Sequence, residues 1–296
     1  MQPNIYYQEH GYVVLRNLIP AQLINQLLEF YAQQIVPSKQ PFFRQSTNKY
    51  EPNQLNEYGH VKQSFLDIHD YQKYPKFSNL AKEIYCHESI QNALKQITGF
   101  DAFNLMQTML FDKNTETQSH QDWWYLDSIP NGNLTAAWIA LENIDERAGR
   151  FYVLPKSNHN PDFHSDDANL SHSQWLQRIS QYTEKHKDEI TAPALNQGDV
   201  LFWNSKTIHG ALPTINPSFS RKSLTAHYIP SVYEFGNLFT TKNYITYKNY
   251  QGVNFYRNQP DYSLLNNFKF KLKTSVYDSP ILLKLMRSIQ KKISSR

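Results

Sequence analysis

Three side chains of this 296-residue chain have the types and the spacing of a metal site. In Ser119-His120-Gln121-Asp122-Trp123-Trp124, an imidazole and a carboxylate stand two positions apart. Residues i and i+2 of extended backbone share a face, so His120 and Asp122 can reach one cation. A third donor lies 89 residues downstream of His120, in the segment Gly198-Asp199-Val200-Leu201-Phe202-Trp203 that leads on to Ile208-His209-Gly210. There a turn, an apolar strand, a second turn and a return strand would present His209 from the opposite side of a barrel. Two imidazoles and one carboxylate on one face of an octahedron leave three positions open, which suits Fe(II) with a bidentate co-substrate and O2. A zinc hydrolase uses the same residue types, so the trio alone leaves both metals open.

Arg221 separates the two. It follows His209 by 12 residues, at the start of an apolar strand, where its side chain could turn inward beside the metal. A guanidinium buried there needs an anion, and the distal carboxylate of 2-oxoglutarate is a bidentate partner of the right reach. Ser223, two positions on and on the same face, could add a hydrogen bond to that carboxylate.

These residues need elements to hold them. Gly11-Tyr12-Val13-Val14-Leu15 reads as a short strand, and Pro20 opens a helix with Leu23, Ile24, Leu27, Leu28, Tyr31 and Ile35 on one face. The polar stretch from Pro37 to Tyr58 reads as loop. One amphipathic helix is expected between Phe77 and Ile97, stopped by Gly99. Short aromatic and apolar runs follow at 103–111, 134–141, 151–154, 200–203 and 223–229, separated by Asn, Gly, Pro and Asp clusters, as in an antiparallel sandwich or barrel. A helical insert over 171–187 interrupts the series. The segment after Ile229 is rich in Tyr and Asn and carries no clear assignment. A basic amphipathic helix is expected at about 280–293, with Leu282, Leu285, Met286, Ile289 and Ile293 on one stripe and Lys284, Arg287, Lys291 and Lys292 opposite.

Composition sets the bounds. With 20 Tyr, 17 Phe and 5 Trp the chain is far too aromatic to be disordered, and its length fits one large domain over 1–296. A formal charge of +4 neither demands nor excludes an anionic partner. Cys86 is alone, which rules out an intrachain disulfide and a cysteine zinc site and fits a reducing compartment. The opening residues show no basic stretch followed by an apolar run, and no window has the apolar length of a membrane span, so a cytoplasmic location is expected.

The order His120-x-Asp122, then Gly149-Arg150-Phe151-Tyr152-Val153-Leu154-Pro155-Lys156-Ser157-Asn158-His159, then Gly198 to Phe202 leading to His209 and Arg221, resembles the phytanoyl-CoA dioxygenase family. The core motifs cover 100–230, and Gly11-Tyr12-Val13-Val14 is similar to the family's opening strand. The resemblance implies a mainly β fold with flanking helices and a double-stranded β-helix, or jelly-roll, cupin-like core. It implies Fe(II) on His120, Asp122 and His209, with 2-oxoglutarate on Arg221 and O2 as second co-substrate. It also places Gln107 near the co-substrate and Trp138 and Trp203 among the pocket aromatics. Relatives usually carry Pro-Gly-Ser-His where this chain has Pro155-Lys156-Ser157-Asn158-His159, which points to altered substrate recognition at the site's edge. Halogen-transferring relatives replace the ligand carboxylate by a small residue; with Asp122 present, hydroxylation is favoured.

Two other classes compete with this dioxygenase reading: a catalytically silent β-helix binding protein and a zinc-dependent cupin-like enzyme. Neither gives Arg221 a task. Trp123, Trp124 and Tyr125 divide evenly between pocket wall and packing. His60, His69, His164, His172 and His227 read as ordinary polar residues, although His227 shares the parity of Arg221 and Ser223. The expected partner is a small-molecule or lipid-linked substrate rather than a nucleic acid. The C-terminal helix is expected to dock on the barrel, its alternative being peripheral contact with an anionic membrane surface.

Overall fold

The computed structural model describes residues 2–47, 49–160, 170–236 and 247–256, with isolated positions 272, 279, 281, 282, 284, 285 and 288. Its helices are α1 (Pro3–His10), α2 (Ala21–Phe30), α3 (Pro75–Tyr85), α4 (Glu88–Thr98) and α5 (His172–Lys185). Its strands run β1 (Tyr12–Leu15), β2 (Phe42–Phe43), β3 (Tyr50–Glu51), β4 (Phe65–Leu66), β5 (Phe103–Phe111), β6 (Asp127–Ile129) and β7 (Thr135–Ala140). They continue with β8 (Phe151–Val153), β9 (Val200–Asn204), β10 (His209–Ala211), β11 (Ser223–Pro230), β12 (Glu234–Gly236), β13 (Tyr247–Tyr250) and β14 (Val253–Tyr256).

The large sheet has the order β1-β9-β7-β11-β5-β14-β13, with β4 also on β5. Opposite it, β10 pairs with β8, and the isolated bridges His120↔His209 and Val153↔Thr191 widen that small sheet on both sides. This is a jelly-roll core, as expected. Period-2 alternation explains why the large sheet is buried on both faces. Leu224, Ala226 and Tyr228 of β11, Ala137 and Ile139 of β7, and Val200 and Phe202 of β9 point to one side. There they pack with Ile24 and Leu27 of α2, Phe77 and Ile84 of α3, and Leu94 and Ile97 of α4. Trp138, Leu201 and Trp203 point the other way, toward the small sheet.

β5 is the exception to simple alternation. Phe103 and Leu105 face the helices, and so does Leu110, whereas Gln107, Met109 and Phe111 face the opposite cavity. An irregularity in register at His227/Tyr228, opposite Gln107 and Leu105, inserts the extra residue that reverses the parity. Bulges of this kind turn a strand's side chains without ending its pairing.

Several expectations need correction. The single helix over 77–97 is two, broken at Cys86-His87, where His87 Nδ1 accepts the Ser89 N–H at 3.3 Å and caps α4. Gly99 does end α4, in a left-handed conformation. The 37–58 loop contains the β2/β3 hairpin. The residues after Ile229, which carried no clear assignment, supply β12, β13 and β14. α1 was not foreseen; Gly11 ends it at φ +76, and a Cβ there would sit 2.4 Å from both Asn158 Oδ1 and Thr207 Oγ1. The insert expected at 171–187 is α5, opened by a capping box between Ser171 and Gln174. The helix expected at about 280–293 lies outside the described residues apart from isolated positions, as does His164. No described helix is long and apolar enough to cross a membrane.

Candidate metal centre

His120 and His209 are brought face to face by backbone pairing. Each donates its N–H to the other's carbonyl at 3.0 Å, the mutual pattern of an antiparallel bridge. Gln121 points away between the two expected ligands: its amide donates to the Lys206 carbonyl, and its Oε1 accepts Trp123 Nε1–H at 2.7 Å. Gln121 thereby fastens the His120 segment to the β9–β10 turn. Its extended backbone puts Asp122 back on the face of His120, at the start of a short 3-10 turn.

The result is one cluster of donors. One ligand atom from each of His120, Asp122 and His209 lies within 4.8 Å of the other two. Asp122 Oδ1 is 3.7 Å from His120 Nε2 and 3.6 Å from His209 Nε2. His120 Nδ1 donates to the Gln118 carbonyl at 2.8 Å, and His209 Nδ1 donates to the Thr207 carbonyl at 2.9 Å. A carbonyl can only accept, so the ring proton is on Nδ1 and the Nε2 lone pair of each ring faces the cluster. Burial, with His209 adding to it at His120, lowers the imidazole pKa values to about 4 at His120 and about 3 at His209. Both rings are therefore neutral, ready ligands at physiological pH.

Arg221 stands in the same cavity, 2% exposed. Its Nη1 donates to the Gly149 carbonyl at 3.0 Å, while its Nε is buried with no partner. The guanidinium lies 5.8 Å from the Trp138 ring centroid and 6.0 Å from that of Phe111. Burial alone pulls its pKa down to about 10. Among the described residues no carboxylate forms an ion pair with it. A buried cation with an open N–H and no counter-ion is the observation expected of a docking point for an anionic co-substrate.

The other expected residues fall as follows. Gln107 and Trp138 line the cavity. Trp203 lines it too, and its indole N–H donates to Asp122 Oδ2 at 2.9 Å. Ser223 is fully buried; its hydroxyl lies 3.4 Å from the Arg221 carbonyl, and the neighbouring wall position belongs to Thr225 instead. Sequence reasoning undervalued His227, whose Nε2 is 3.6 Å from Asp122 Oδ2; its parity with Arg221 was the available signal. The loop at 155–159 is not at the site's edge. Lys156 adopts φ 65, its N–H donates to the His10 carbonyl, and His159 Nε2 donates to the Gln8 carbonyl, so this loop packs on α1.

The cavity encloses about 690 Å³. Beyond the donors its wall is Met109, Phe111, Phe151, Tyr125, Leu126 and Leu176, with Gln45 and Ser46 at the rim. Tyr125 OH pairs with His172 Nε2 at 2.8 Å, and Trp124 stacks on Trp175 at 4.6 Å, so α5 backs this outer wall.

A jelly roll with two imidazoles and a carboxylate facing a cavity that also holds an uncompensated arginine has the architecture of the iron- and 2-oxoglutarate-dependent oxygenases. The family model described as Phytanoyl-CoA dioxygenase (PhyH) matches residues 7–223, and the chain belongs to that family. Human "Phytanoyl-CoA dioxygenase, peroxisomal" is 24% identical over 243 residues, 75% of this chain and 66% of the human protein. The Bos taurus protein of the same name is 23% identical over 242 residues, with the same 75% and 66% coverage. The chain thus spans slightly under two thirds of the length of these relatives. Among solved structures, the non-heme alpha ketoglutarate dependent carbocyclase SnoK from nogalamycin biosynthesis superposes with TM-score 0.59 at 15% identity, over 79% of this chain and 85% of its own. EctD from S. alaskensis, with 2-oxoglutarate and 5-hydroxyectoine, gives 0.57 at 16% identity over 81% and 79%. At such identities these likenesses concern the fold.

Proposed function

We propose that this chain is a non-heme Fe(II)- and 2-oxoglutarate-dependent dioxygenase that hydroxylates an aliphatic C–H bond of a small-molecule or lipid-linked metabolite, releasing succinate and CO2. The observation that carries the reading is Arg221, buried and without a counter-ion in the cavity of the His120, Asp122 and His209 cluster. Those three residues would hold the iron through His120 Nε2, His209 Nε2 and Asp122 Oδ1. Iron, when bound with 2-oxoglutarate and O2, supplies an oxidant able to take hydrogen from an unactivated carbon.

The chain's own side chains do the rest. Arg221 binds the distal carboxylate of 2-oxoglutarate by a charge-assisted fork, as a zinc hydrolase or a silent binding protein would have no reason to do. Gln107 is assigned to the co-substrate end with it. Trp138, Trp203, Phe111 and Phe151 keep that end dry. The primary substrate would lie farther out, against Tyr125, Leu126 and Leu176. The retained Asp122 favours hydroxylation over halogen transfer. A cytoplasmic location, and peripheral membrane contact through the C-terminal segment, complete the proposal; Ile281, Leu282 and Leu285 are exposed there.

Anaerobic addition of Fe(II) and 2-oxoglutarate should give the weak visible charge-transfer band of a chelated keto acid, abolished in His209→Ala. Succinate release on admitting O2, stimulated by members of a metabolite panel, would then identify the substrate. No band and no succinate under any condition would sink the proposal.

A further inference from the structure

Asp122 is held asymmetrically. Oδ1 faces the Nε2 atoms of both His120 and His209, at 3.7 and 3.6 Å. Oδ2 faces the opposite way, accepting the Trp203 indole N–H at 2.9 Å, with His227 Nε2 3.6 Å away. Asp122, Trp203 and His227 are all buried, so this arrangement does not compete with bulk water. We infer that Trp203 is a positioning residue that occupies Oδ2 and leaves Asp122 only Oδ1 to offer a metal.

Each member is fixed by an element of its own. Trp203 sits on β9, where its ring packs 4.9 Å from both Phe151 and His209. The indole can therefore turn little, and its one donor is aimed at the carboxylate. His227 sits on β11 beside the register irregularity with β5; its Nδ1 donates to the Gln107 carbonyl at 3.4 Å, so its Nε2 has no proton to give Oδ2 and the ring acts as packing. His227 also meets the Trp203 ring edge-on at 6.1 Å. A donor carried by β9 thus fixes one oxygen of a residue carried by the 3-10 turn after His120. A carboxylate with both oxygens free can rotate or chelate; one whose outer oxygen is bonded presents a single donor in a fixed direction, and three facial positions stay open.

The inference rests on the proposed metal site, and Co(II) titration of the metal-free full chain separates the two. Co(II) is followed by its ligand-field absorption, so the readout is affinity and coordination, with no dependence on turnover. Trp203→Phe keeps the aromatic packing and removes only the N–H. It is expected to weaken Co(II) roughly 10- to 100-fold and to shift the absorption bands, with the metal-free chain still folding cooperatively. β-(3-Benzothienyl)alanine at position 203, which replaces the indole N–H by sulfur at nearly the same shape, is expected to weaken Co(II) in the same direction. If Trp203→Phe does not fold, the benzothienyl variant decides on the same terms. Affinities within about two-fold of the parent, with identical bands in Trp203→Phe or the benzothienyl variant, overturn the inference. A parent chain that binds no Co(II), or a His209→Ala variant that binds as the parent does, removes the metal site itself, which is a different result.

Discussion

Replacing Arg221 by Met should make the ligand-free chain slightly more stable and nearly abolish 2-oxoglutarate binding. The sign follows from burial. The folded chain holds the guanidinium with its pKa pulled from 12.5 to about 10. The charged form is thus disfavoured on folding at every pH below that range, by roughly 3 kcal/mol. Against this stand one hydrogen bond to the Gly149 carbonyl and two aromatic faces near 6 Å. Together they are worth about 2 kcal/mol, and Met recovers part of the packing of the alkyl stem. The net is a gain of about 1 kcal/mol, or a rise of about 2 °C in the melting temperature of a chain this size. In the loaded site of the proposed enzyme the same cation would meet the co-substrate's carboxylate. Truncating one partner of a buried charge pair costs about 2–5 kcal/mol, which is roughly thirty-fold to a few thousand-fold in affinity. Calorimetric melting of the metal-free chain and anaerobic 2-oxoglutarate titration with Co(II) measure the two arms. A variant that melts several degrees lower while binding 2-oxoglutarate normally would refute the reasoning, since Arg221 would then be a structural cation.

Two further outcomes follow from the same site. His120 and His209 have pKa values lowered to about 4 and about 3 in the folded chain, so the unfolded chain takes up protons first as pH falls. Their contribution is fully present above pH 6.5 and is lost as pH falls to about 4 for His120 and about 3 for His209, the loss reaching about 2 kcal/mol each at pH 5. Urea midpoints of the metal-free chain should fall accordingly from pH 7.5 to 5, and the fall should be smaller in His209→Gln; equal pH dependence in the two would contradict the assignment. Gly149→Ala should destabilise by about 3 kcal/mol. The residue has φ +77, and a Cβ would come within 2.2 Å of Asn114 Nδ2 and 2.5 Å of the Leu212 carbonyl. It would also displace the carbonyl that receives Arg221, so 2-oxoglutarate affinity should drop with stability, as parallel melting and titration would show.

The parts of this site that rest on short periods were legible in the sequence. His120 and Asp122 needed only two-residue alternation, and the apolar runs of β5, β7, β9 and β11 marked their own ends to within one or two residues. The pairing of His120 with His209 was readable as an order of motifs, although the bridge that enforces it joins segments far apart in the chain. What escaped depends on non-local geometry. In Phe103-Asn104-Leu105-Met106-Gln107-Thr108-Met109-Leu110-Phe111, apolar residues occur at both parities, so nothing marks where the irregularity reverses the faces. His227 was undervalued for the same reason: parity gave its side, but its proximity to Asp122 depends on the strand's offset from the 3-10 turn. The break at Cys86-His87 carries neither Pro nor Gly, and the apolar spacing runs straight through it.

The division of labour in the cavity also bears on what the family name can convey. The donors and the arginine are set by the two facing sheets and by the segment bridged to them. The outer wall is set by other elements: Gln45 and Ser46 from the β2/β3 hairpin, Tyr125 and Leu126 after the 3-10 turn, and Leu176 from α5. The hairpin and α5 lie outside the core pairing that holds the metal ligands, whereas Tyr125 and Leu126 donate their N–H groups to the Asp122 carbonyl at 2.8 and 3.0 Å. The outer wall can therefore change while the donor cluster stays intact, consistent with a common fold in SnoK, a carbocyclase, and in EctD, whose structure holds 5-hydroxyectoine. Under the proposed function, substrate choice is assigned to the hairpin, Tyr125 with His172, and α5. Exchanges at Gln45 or Leu176 should alter which metabolite stimulates succinate release while leaving Co(II) and 2-oxoglutarate affinity near the parent values. A loss of metal affinity in those variants would mean that wall and donor cluster are coupled after all.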